Sequence, residues 1–382
     1  MKSQLIIVES PSKIKTLKKF LDDKYTVEAS VGHIRDLPKS NLGIEVENDF
    51  SAEYHVSPDS TKTVQSLKKA LKNADQLFIA TDPDREGEAI AWHIVDELKP
   101  KIPIKRLVFN EITKTAILDS FKNTRDIDSN LVDAQETRRF LDRLFGFMVS
   151  EKLWFNMKSG VSAGRVQSPA IKILVDREKE RTQFKQNEYW SVNGDFENTS
   201  GNINAKLIKI GAQKIATGKS FDKKTGQLFN KDDIILNEKL INEFSEQLKS
   251  DSWKVTKLEK KPVTQKPYAP FITSTLQQEG IRQFRMSAQN VMRTAQTLYE
   301  NGYITYMRTD SVHLSKEAIS ASRNAIKDLY GNEFLPSSAI QYSNKVKNAQ
   351  EAHEAIRPAG SKFKHPDDLK NKLDPNQLKL YA

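Results

Sequence analysis

Three carboxylates stand at alternate positions of the chain, at Asp82, Asp84 and Glu86. Alternate side chains of an extended backbone point to the same side, so this spacing predicts a shared acidic face. Carboxylate oxygens are ligands that Mg²⁺ prefers, and Mg²⁺ usually takes one or two of them together with water and phosphate oxygens. The alternative is that the acids form an ordinary solvated turn, which is the commoner origin of such a run.

Short apolar stretches precede these three acids and one more. Residues 77–80 lie directly before the run, and residues 5–8 lie directly before Glu9. Such stretches are typical of buried parallel strands. Because open α/β sheets bind their ligands beyond the carboxyl ends of the strands, we predict that Glu9 and the three acids meet at one rim as metal ligands.

A tyrosine far along the chain could supply a nucleophile. Tyr306 precedes Arg308 by two residues, so on an extended backbone the guanidinium would lie beside the phenol, lower its pKa and hold a phosphate. Lys13 could face the same phosphate from the start of the first predicted helix. His353 and Arg357 are further candidate phosphate ligands. The alternatives are a tyrosine used only for packing and local ion pairs for the charged residues.

The charge balance favours a polyanionic partner. The 382 residues include 60 Lys and Arg against 50 Asp and Glu, a net charge of +10. Arg138, Arg139 and Arg143 lie on a predicted helix, and residues 162–168 add small side chains that let a backbone approach closely. Arginines beside aromatic rings suit phosphate clamping and base stacking on single strands, although a solvated basic helix is the alternative.

Composition excludes several kinds of site. The chain has no cysteine, so disulfides and zinc sites with thiolate ligands are excluded from it. Its first apolar run, residues 5–8, is too short for a signal peptide or a membrane span. We therefore expect a cytoplasmic protein with no membrane partner.

Hydrophobic periodicity predicts the elements that position these residues. The first 130 residues or so indicate an α/β unit with a mostly parallel sheet, with strands at 5–8, 26–31 and 77–80 and helices beginning at 11–12, 89 and 113. Helices follow over 133–181, with a buried stripe formed by Phe140, Leu144, Phe147 and Leu153. Half-exposed strands are predicted at 189–209 and 253–258 around a helix at 237–248. Helices at 287–300 and 315–330 flank Tyr306, which we expect on a short strand or loop.

Together these runs resemble the type IA DNA topoisomerases, and among them the bacterial topoisomerase I kind. The resemblance spans nearly the whole chain and rests on residues 7–13, 30–38, 81–88, 134–154, 162–169, 304–311 and 353–358. One such motif alone says little, but several in the family's order are specific. The amino-acid sequences of residues 353–358 and 38–50 resemble topoisomerase I more than topoisomerase III.

The resemblance implies a multi-domain fold with α/β, helical and β-rich parts arranged as a clamp. The implied domains are a Toprim domain at 1–37 and 62–132, a helical DNA-groove domain at 38–61 and 133–186, a β-rich arch at 187–262, and a helical domain carrying the tyrosine at 263–382. The last predicted helix begins at 374–375 and the chain stops within about two turns, so we expect a longer protein whose clamp is incomplete here.

The resemblance also implies the chemistry. Tyr306 would join covalently to a 5′ phosphate of single-stranded DNA, and strand passage would relax negative supercoils with Mg²⁺ but without a nucleotide cofactor. The implied catalytic residues are Tyr306, Glu9, Lys13, Arg308 and His353. The residues expected to contact DNA are His33, Arg35, Arg138, Arg139, Asp142, Arg143, Phe155, Ser162, Ala163, Gly164, Arg165, Val166, Gln167, Ser168, Arg308 and Arg357. We expect a monomer associated with the nucleoid.

The sequence departs from the family's motifs at two positions, and it leaves several alternative functions open. Gly280 stands where the family more often has Ala, and Arg285 where Gly is common, which bears on the local helix path. A topoisomerase III-like decatenase, another Toprim nuclease or primase, and a truncated fragment that binds and cleaves single strands without relaxing DNA are the alternatives. A Toprim nuclease would lack the Tyr306 run.

Overall fold

The computed structural model describes residues 3–199, 201–250, 252–343 and 354–382. The chain divides into two compact units, one made of Met1–Phe147 with Lys266–Ala382 and the other of Met148–Gln265. In the described part of the chain, no helix is long and apolar enough to cross a membrane. The division into four domains stays a prediction.

The amino-terminal part of the first unit is an α/β arrangement. Its elements are β1 (Ser3–Val8), α1 (Pro11–Leu17), β2 (Tyr25–Ala29), β3 (Arg35–Asp36), β4 (Ile44–Glu45), β5 (Ser51–Ala52), β6 (His55–Val56), α2 (Thr61–Lys72), β7 (Ala74–Ala80), α3 (Arg85–Leu98), β8 (Ile104–Arg106), α4 (Lys114–Lys122) and α5 (Ser129–Leu144). A 3₁₀ turn, Pro58–Ser60, precedes α2, and a π-helical turn, Phe145–Val149, follows α5.

Four parallel strands form the main sheet in the order β2-β1-β7-β8. The side chains of β1 alternate between two buried clusters, with Ile6 and Val8 in one and Leu5 and Ile7 in the other. Val8 pairs with Ala80, so the carboxyl ends of β1 and β7 lie side by side. The predicted parallel sheet is therefore present, and it brings together the two loops that carry the acids.

The second unit, described by itself, combines helices with small hairpins. Its elements are α6 (Ser150–Asn156), α7 (Gln167–Gln183), β9 (Asn193–Asn198), β10 (Gly201–Lys206), β11 (Lys209–Ile210), β12 (Gln213–Lys214), the 3₁₀ turn Gly218–Ser220 and α8 (Glu238–Ser250). The antiparallel pair β9-β10 lies within the strands predicted at 189–209, but β10 is exposed along its whole length and β12 lies beyond the predicted range. The strand predicted at 253–258 is wrong, because these residues pair with no described strand and Val255 and Leu258 are exposed.

The carboxyl-terminal part of the first unit is helical. Its elements are α9 (Thr273–Phe284), α10 (Ala288–Glu300), α11 (Lys316–Tyr330) and α12 (Pro375–Tyr381), with 3₁₀ turns at Asn332–Phe334 and Pro366–Leu369. Helix α9 ends at Phe284, and the next residue, Arg285, has a left-handed φ of 57°, which explains why glycine suits this position. A β-carbon at Gly280 would lie 2.7 Å from the Val291 side chain, so α9 and α10 approach closely there.

One prediction about a helix face is wrong. The stripe expected from Phe140 to Leu153 is not buried, and Phe147 is 39% exposed. Apolar spacing indicates a helical face, but whether another element covers that face depends on tertiary packing.

Candidate active site

Lys13 and Asp82 form a buried ion pair beyond the ends of β1 and β7. The Lys13 ammonium donates to Asp82 Oδ1, and both side chains are almost fully buried. Lys13 lies in α1 and Asp82 directly follows β7, so the pairing of those two strands brings them together. The Lys13 ammonium also lies 5.4 Å from the centre of the Tyr299 ring. In this arrangement Lys13 neutralises an acid and does not face open solvent.

Asp84 connects the acidic loop to Tyr306. One Asp84 oxygen caps α3 by accepting the Gly87 amide at 2.8 Å, and the other accepts the Tyr306 hydroxyl at 2.5 Å. The Tyr306 amide donates to the Asn110 carbonyl oxygen at 2.7 Å. The tyrosine, 222 residues away in sequence, thus lies at the acidic rim of the sheet.

The Tyr306 phenol is buried and strongly disfavours ionisation. Burial, followed by the charges of Asp82 and Asp84, raises the pKa of Tyr306 far above its ordinary value. Arg308 lowers that pKa, but it is half exposed and its Nη1 lies 3.8 Å from Asp84 Oδ2. The expectation that Arg308 gives the phenol a lowered pKa is wrong, because burial and two carboxylates outweigh one guanidinium. Deprotonation therefore needs an adjacent base or a rearrangement.

Glu9 sits among the same charges. Burial, followed by the charge of Asp82, raises the pKa of Glu9 to about 7. Among the described residues, Glu9 Oε2 is a buried oxygen with no hydrogen-bond partner. A carboxyl group in these surroundings can hold a proton near neutral pH, or it can bind a cation that relieves the repulsion from its neighbours.

Glu9, Asp82 and Asp84, here called the acid cluster, have the oxygen chemistry that suits Mg²⁺. The buried and unpartnered oxygen of Glu9 fits this interpretation. However, no three His, Cys, Asp or Glu side chains in the described ranges stand ready to hold a metal ion. Lys13 and Tyr306 contact two of the carboxylates, so the ligand set is not preassembled in this arrangement.

Glu86 does not share the environment of the acid cluster. Its carboxylate contacts His33 at 3.3 Å, the Gln135 amide at 3.1 Å and Arg138 at 3.4 Å. Hydrogen bonding from His33 and Gln135 outweighs burial and lowers the pKa of Glu86 to about 2. The expected extended run ends at Asp84, because α3 begins at Arg85 and turns Glu86 away. The single acidic face predicted for all three carboxylates is therefore wrong.

Comparison with known protein families decides the relationship of this chain. A DNA topoisomerase family model matches residues 126–382, and a Toprim domain model matches residues 4–112. The chain belongs to the bacterial type IA DNA topoisomerases. The resemblance seen in the sequence motifs is confirmed.

Relatives cover nearly all of this chain. DNA topoisomerase 1 of Synechococcus elongatus is 49% identical over 380 residues, 96% of this chain and 43% of the relative. DNA topoisomerase 1 of Synechocystis is 48% identical over 394 residues, 99% of this chain and 44% of the relative. The solved full-length topoisomerase I of Thermotoga maritima has a TM-score of 0.76 and 38% identity, covering 99% of this chain and 58% of that structure. The chain thus spans less than half the length of these two curated relatives.

Several residues expected to contact DNA line one cavity beside Glu86. Its volume is about 270 Å³, and its lining includes five of the expected residues: His33, Arg35, Arg138, Arg139 and Asp142. Many of these charges already have protein partners. Arg139 binds the Asp36 carboxylate at 2.7 to 3.0 Å, and Arg35 contacts Asp96 and His93. A phosphate would compete with those carboxylates, so the role of these residues in DNA binding stays a prediction.

Other expected DNA contacts lie elsewhere. Arg143 is mostly buried and donates to the Leu37 carbonyl oxygen at 3.2 Å, while Phe155 in the second unit is 82% exposed. The second unit also contains the run of small residues at 162–168, which includes Arg165. Its backbone and side chains are held by local hydrogen bonds: the Ala163 amide donates to Ser150, the Gly164 amide to Ser168, and the Gln167 side chain to Ser162. Val166 is exposed.

Arg357 and His353 were both expected near the phosphate. Arg357 instead binds Glu354 and Glu111, and only 8% of it is exposed. In this arrangement Arg357 is therefore not available as a phosphate ligand. His353 lies outside the described residues.

Sequence reasoning missed two buried residues beside the site. Arg106 donates to the carbonyl oxygens of Ile79, Thr81 and Asp82 at 2.8 to 3.0 Å and so fixes the backbone of the acidic loop. Its place at the end of β8, a parallel strand that the sequence analysis did not predict, would have been the signal. Tyr299 packs against Tyr306 with ring centres 5.1 Å apart, and it looked like an ordinary core residue of a helix.

Proposed function

We propose that this chain carries the catalytic centre of a type IA DNA topoisomerase, which cleaves single-stranded DNA through a covalent bond between Tyr306 and a 5′ phosphate. The observation that carries the proposal is the 2.5 Å hydrogen bond from the Tyr306 hydroxyl to Asp84. This bond places the Tyr306 hydroxyl, the proposed nucleophile, next to a carboxylate that can accept its proton. Nucleophilic catalysis by a hydroxyl requires such an adjacent base.

The chain's own residues can supply each proton and charge of the cleavage step. Tyr306 Oη attacks the phosphorus while Asp84 accepts the phenol proton. The bond from phosphorus to the 3′ oxygen breaks, and Glu9, whose pKa of about 7 lets it hold a proton near neutrality, protonates that oxygen. Arg308, and Lys13 once it moves from Asp82, balance the charge of the phosphoryl group. Rejoining is the reverse sequence.

Asp82 and Asp84 are the residues that would hold Mg²⁺, and Glu9 would join them in its deprotonated form. When bound, the ion would stabilise negative charge on oxygen during cleavage and rejoining. Because Lys13 and Tyr306 contact two of these carboxylates, the same acids must exchange partners between the arrangement described here and a loaded one. Glu86, bound to His33 and Gln135, would orient the neighbouring groups without contacting the ion.

The wider activity follows from the same chemistry. The phosphotyrosine bond conserves the energy of the phosphodiester, so neither ATP nor a ligase is needed. We propose that a monomer passes a strand through a clamp built from the predicted four domains, relaxes negative supercoils and acts in the cytoplasm at the nucleoid. The net charge of +10 and the arginines around the 270 Å³ cavity support binding to a DNA backbone.

The test is covalent attachment to a labelled single-stranded oligonucleotide. Tyr306→Phe should abolish the adduct and leave oligonucleotide affinity nearly unchanged, because it removes one oxygen from a buried ring. Tyr303→Phe is the matched control, since Tyr303 lies in the same loop and packs on Tyr381 away from the acid cluster. Adducts at parental yield in Tyr306→Phe would overturn the proposal.

A further inference from the structure

A buried charge cluster links two segments that are distant in sequence. Arg357 donates to Glu111 Oε2 at 2.9 Å and to Glu354 at 2.8 and 2.9 Å. Glu111 also accepts the Gly360 amide at 3.0 Å and the Thr113 hydroxyl at 3.0 Å. All three charged residues are less than 10% exposed. One guanidinium therefore joins a nearby carboxylate, Glu354, to a distant one, Glu111.

Backbone hydrogen bonds connect this cluster and its neighbours to the loop that carries Tyr306, residues 302–309. Within the loop, Thr305 donates its amide to the Arg357 carbonyl oxygen at 2.9 Å, so the loop and the segment that carries Arg357 are bonded together. On the other side, the Tyr306 amide donates to Asn110, the neighbour of Glu111. The Tyr306 loop is thus held to the α/β part of the unit by the Asn110 bond, the Glu111 contacts and the Tyr306–Asp84 hydrogen bond, and it also packs in a buried apolar cluster shared with β1 and β7.

Tyr306 cannot react in this arrangement, because it is 2% exposed and its hydroxyl binds Asp84. A phosphodiester can reach it only when the loop moves from the acid cluster. Such movement breaks the bonds to Asn110 and Glu111 but keeps the one between Thr305 and Arg357, since both of those residues lie on the moving side.

Glu354 makes the Arg357–Glu111 contact releasable. A buried charge that loses its partner is strongly unfavourable. Arg357, however, would keep Glu354, which is three residues away on the same segment. The guanidinium therefore keeps one carboxylate in either position, and separation from Glu111 does not leave it unpaired.

We propose that Glu111 and Arg357 form a releasable clasp that holds Tyr306 over the acid cluster and sets how often it is uncovered for DNA. This inference rests on the proposed function, because it regulates the same site. Glu111 and Arg357 are positioning residues: they act through the loop and do not touch the reacting atoms. Glu354 is the partner that Arg357 retains when the clasp opens.

Residue-resolved amide hydrogen exchange, measured by NMR on the full chain without DNA, tests the clasp. Glu111→Gln keeps the acceptor oxygen but removes the charge, and it should speed exchange of the Tyr306 and Gly360 amides by about tenfold or more. The Thr305 amide, whose bond stays within the moving side, and the Ile6 amide in β1 should not change.

Glu354→Gln is the discriminating control. It makes Arg357 depend on Glu111 alone, so the clasp predicts equal or slower exchange at Tyr306. A purely structural role predicts that both variants speed exchange. The clasp is overturned if Glu111→Gln leaves the Tyr306 amide unchanged, or if both variants raise its exchange alike. The adduct assay on the parent tests the proposed function separately, because amide exchange does not depend on DNA cleavage.

Discussion

Gly87 is where a single methyl group should disturb the acid cluster most. A β-carbon there would lie 2.2 Å from the Asp82 carbonyl oxygen and 2.8 Å from the Asp82 nitrogen, whereas ordinary contact begins at 3.4 Å. The β-carbon would thus lie about 1.2 Å closer to the Asp82 oxygen than ordinary contact allows. The backbone cannot easily yield, because Gly87 is bonded to Asp84 and to the Thr81 hydroxyl, and Arg106 holds the Asp82 carbonyl.

Gly87→Ala should therefore cost stability and displace the acids. Forcing an extra carbon into a packed site costs about 1–3 kcal/mol. A displacement of about 1 Å at catalytic groups can lower a rate by about 10²-fold. We expect a lower unfolding temperature and an adduct-formation rate reduced by about that factor, with smaller effects on oligonucleotide affinity. The measurements are thermal unfolding by circular dichroism and single-turnover adduct formation.

Gly146→Ala is the control for the substitution itself. A β-carbon at Gly146 meets nothing within 4 Å, and alanine favours helix over glycine by up to about 1 kcal/mol. This variant should match or exceed the parent in stability. If Gly87→Ala keeps the parent's unfolding temperature and adduct rate, the close packing of α3 on the acidic loop does not position the acids as argued.

Three further predictions concern metal, DNA and protons. Asp82→Asn with Asp84→Asn should raise the Mg²⁺ concentration needed for rejoining more than it weakens oligonucleotide binding, and identical Mg²⁺ titrations for variant and parent would contradict the ligand assignment. Arg138→Ala with Arg139→Ala should make the dependence of oligonucleotide affinity on salt less steep. The slope of log affinity against log salt should fall by roughly 0.7 for each single-strand phosphate that these arginines neutralise in the parent. An unchanged slope would place the DNA path elsewhere. Burial and the neighbouring Arg35 guanidinium lower the pKa of His93 from 6.5 to about 3 in the folded protein. Below about pH 6.5 the unfolded chain binds a proton at His93 that the folded chain does not, so the free energy of unfolding should fall as the pH drops from there. Urea unfolding should show that His93→Gln flattens this decline, whereas parallel curves would show that His93 is not its source.

Local sequence patterns were sufficient for three of the four strands of the main sheet and for selecting Tyr306 as the proposed nucleophile. The apolar stretches before Glu9 and Asp82 predicted parallel strands, and β1 and β7 pair as that pattern requires. The sequence motif around Tyr306 singled this residue out, and Tyr306 does lie at the acidic rim of the sheet. Such patterns succeed because the hydrophobic periodicity of strands and the capping of helices are properties of residues close together in the chain.

Partnerships between distant charges could not be predicted in the same way. Spacing alone suggested that Glu86 joins the other acids and that Arg357 holds phosphate. Glu86 instead binds His33, and Arg357 binds Glu111 and Glu354. A charged side chain takes whichever partner the packed fold places within reach, and that choice depends on contacts from other elements.

The sequence by itself therefore determined which groups are candidates for phosphoryl transfer and predicted the strands β1 and β7 that precede Glu9 and Asp82. The tertiary structure decided their state: Lys13 neutralises Asp82, and burial with two carboxylates raises the pKa of Tyr306 despite Arg308. The physical reason is that pKa values depend on desolvation and on charges a few ångströms away, which are set by the packing of segments far apart in the chain.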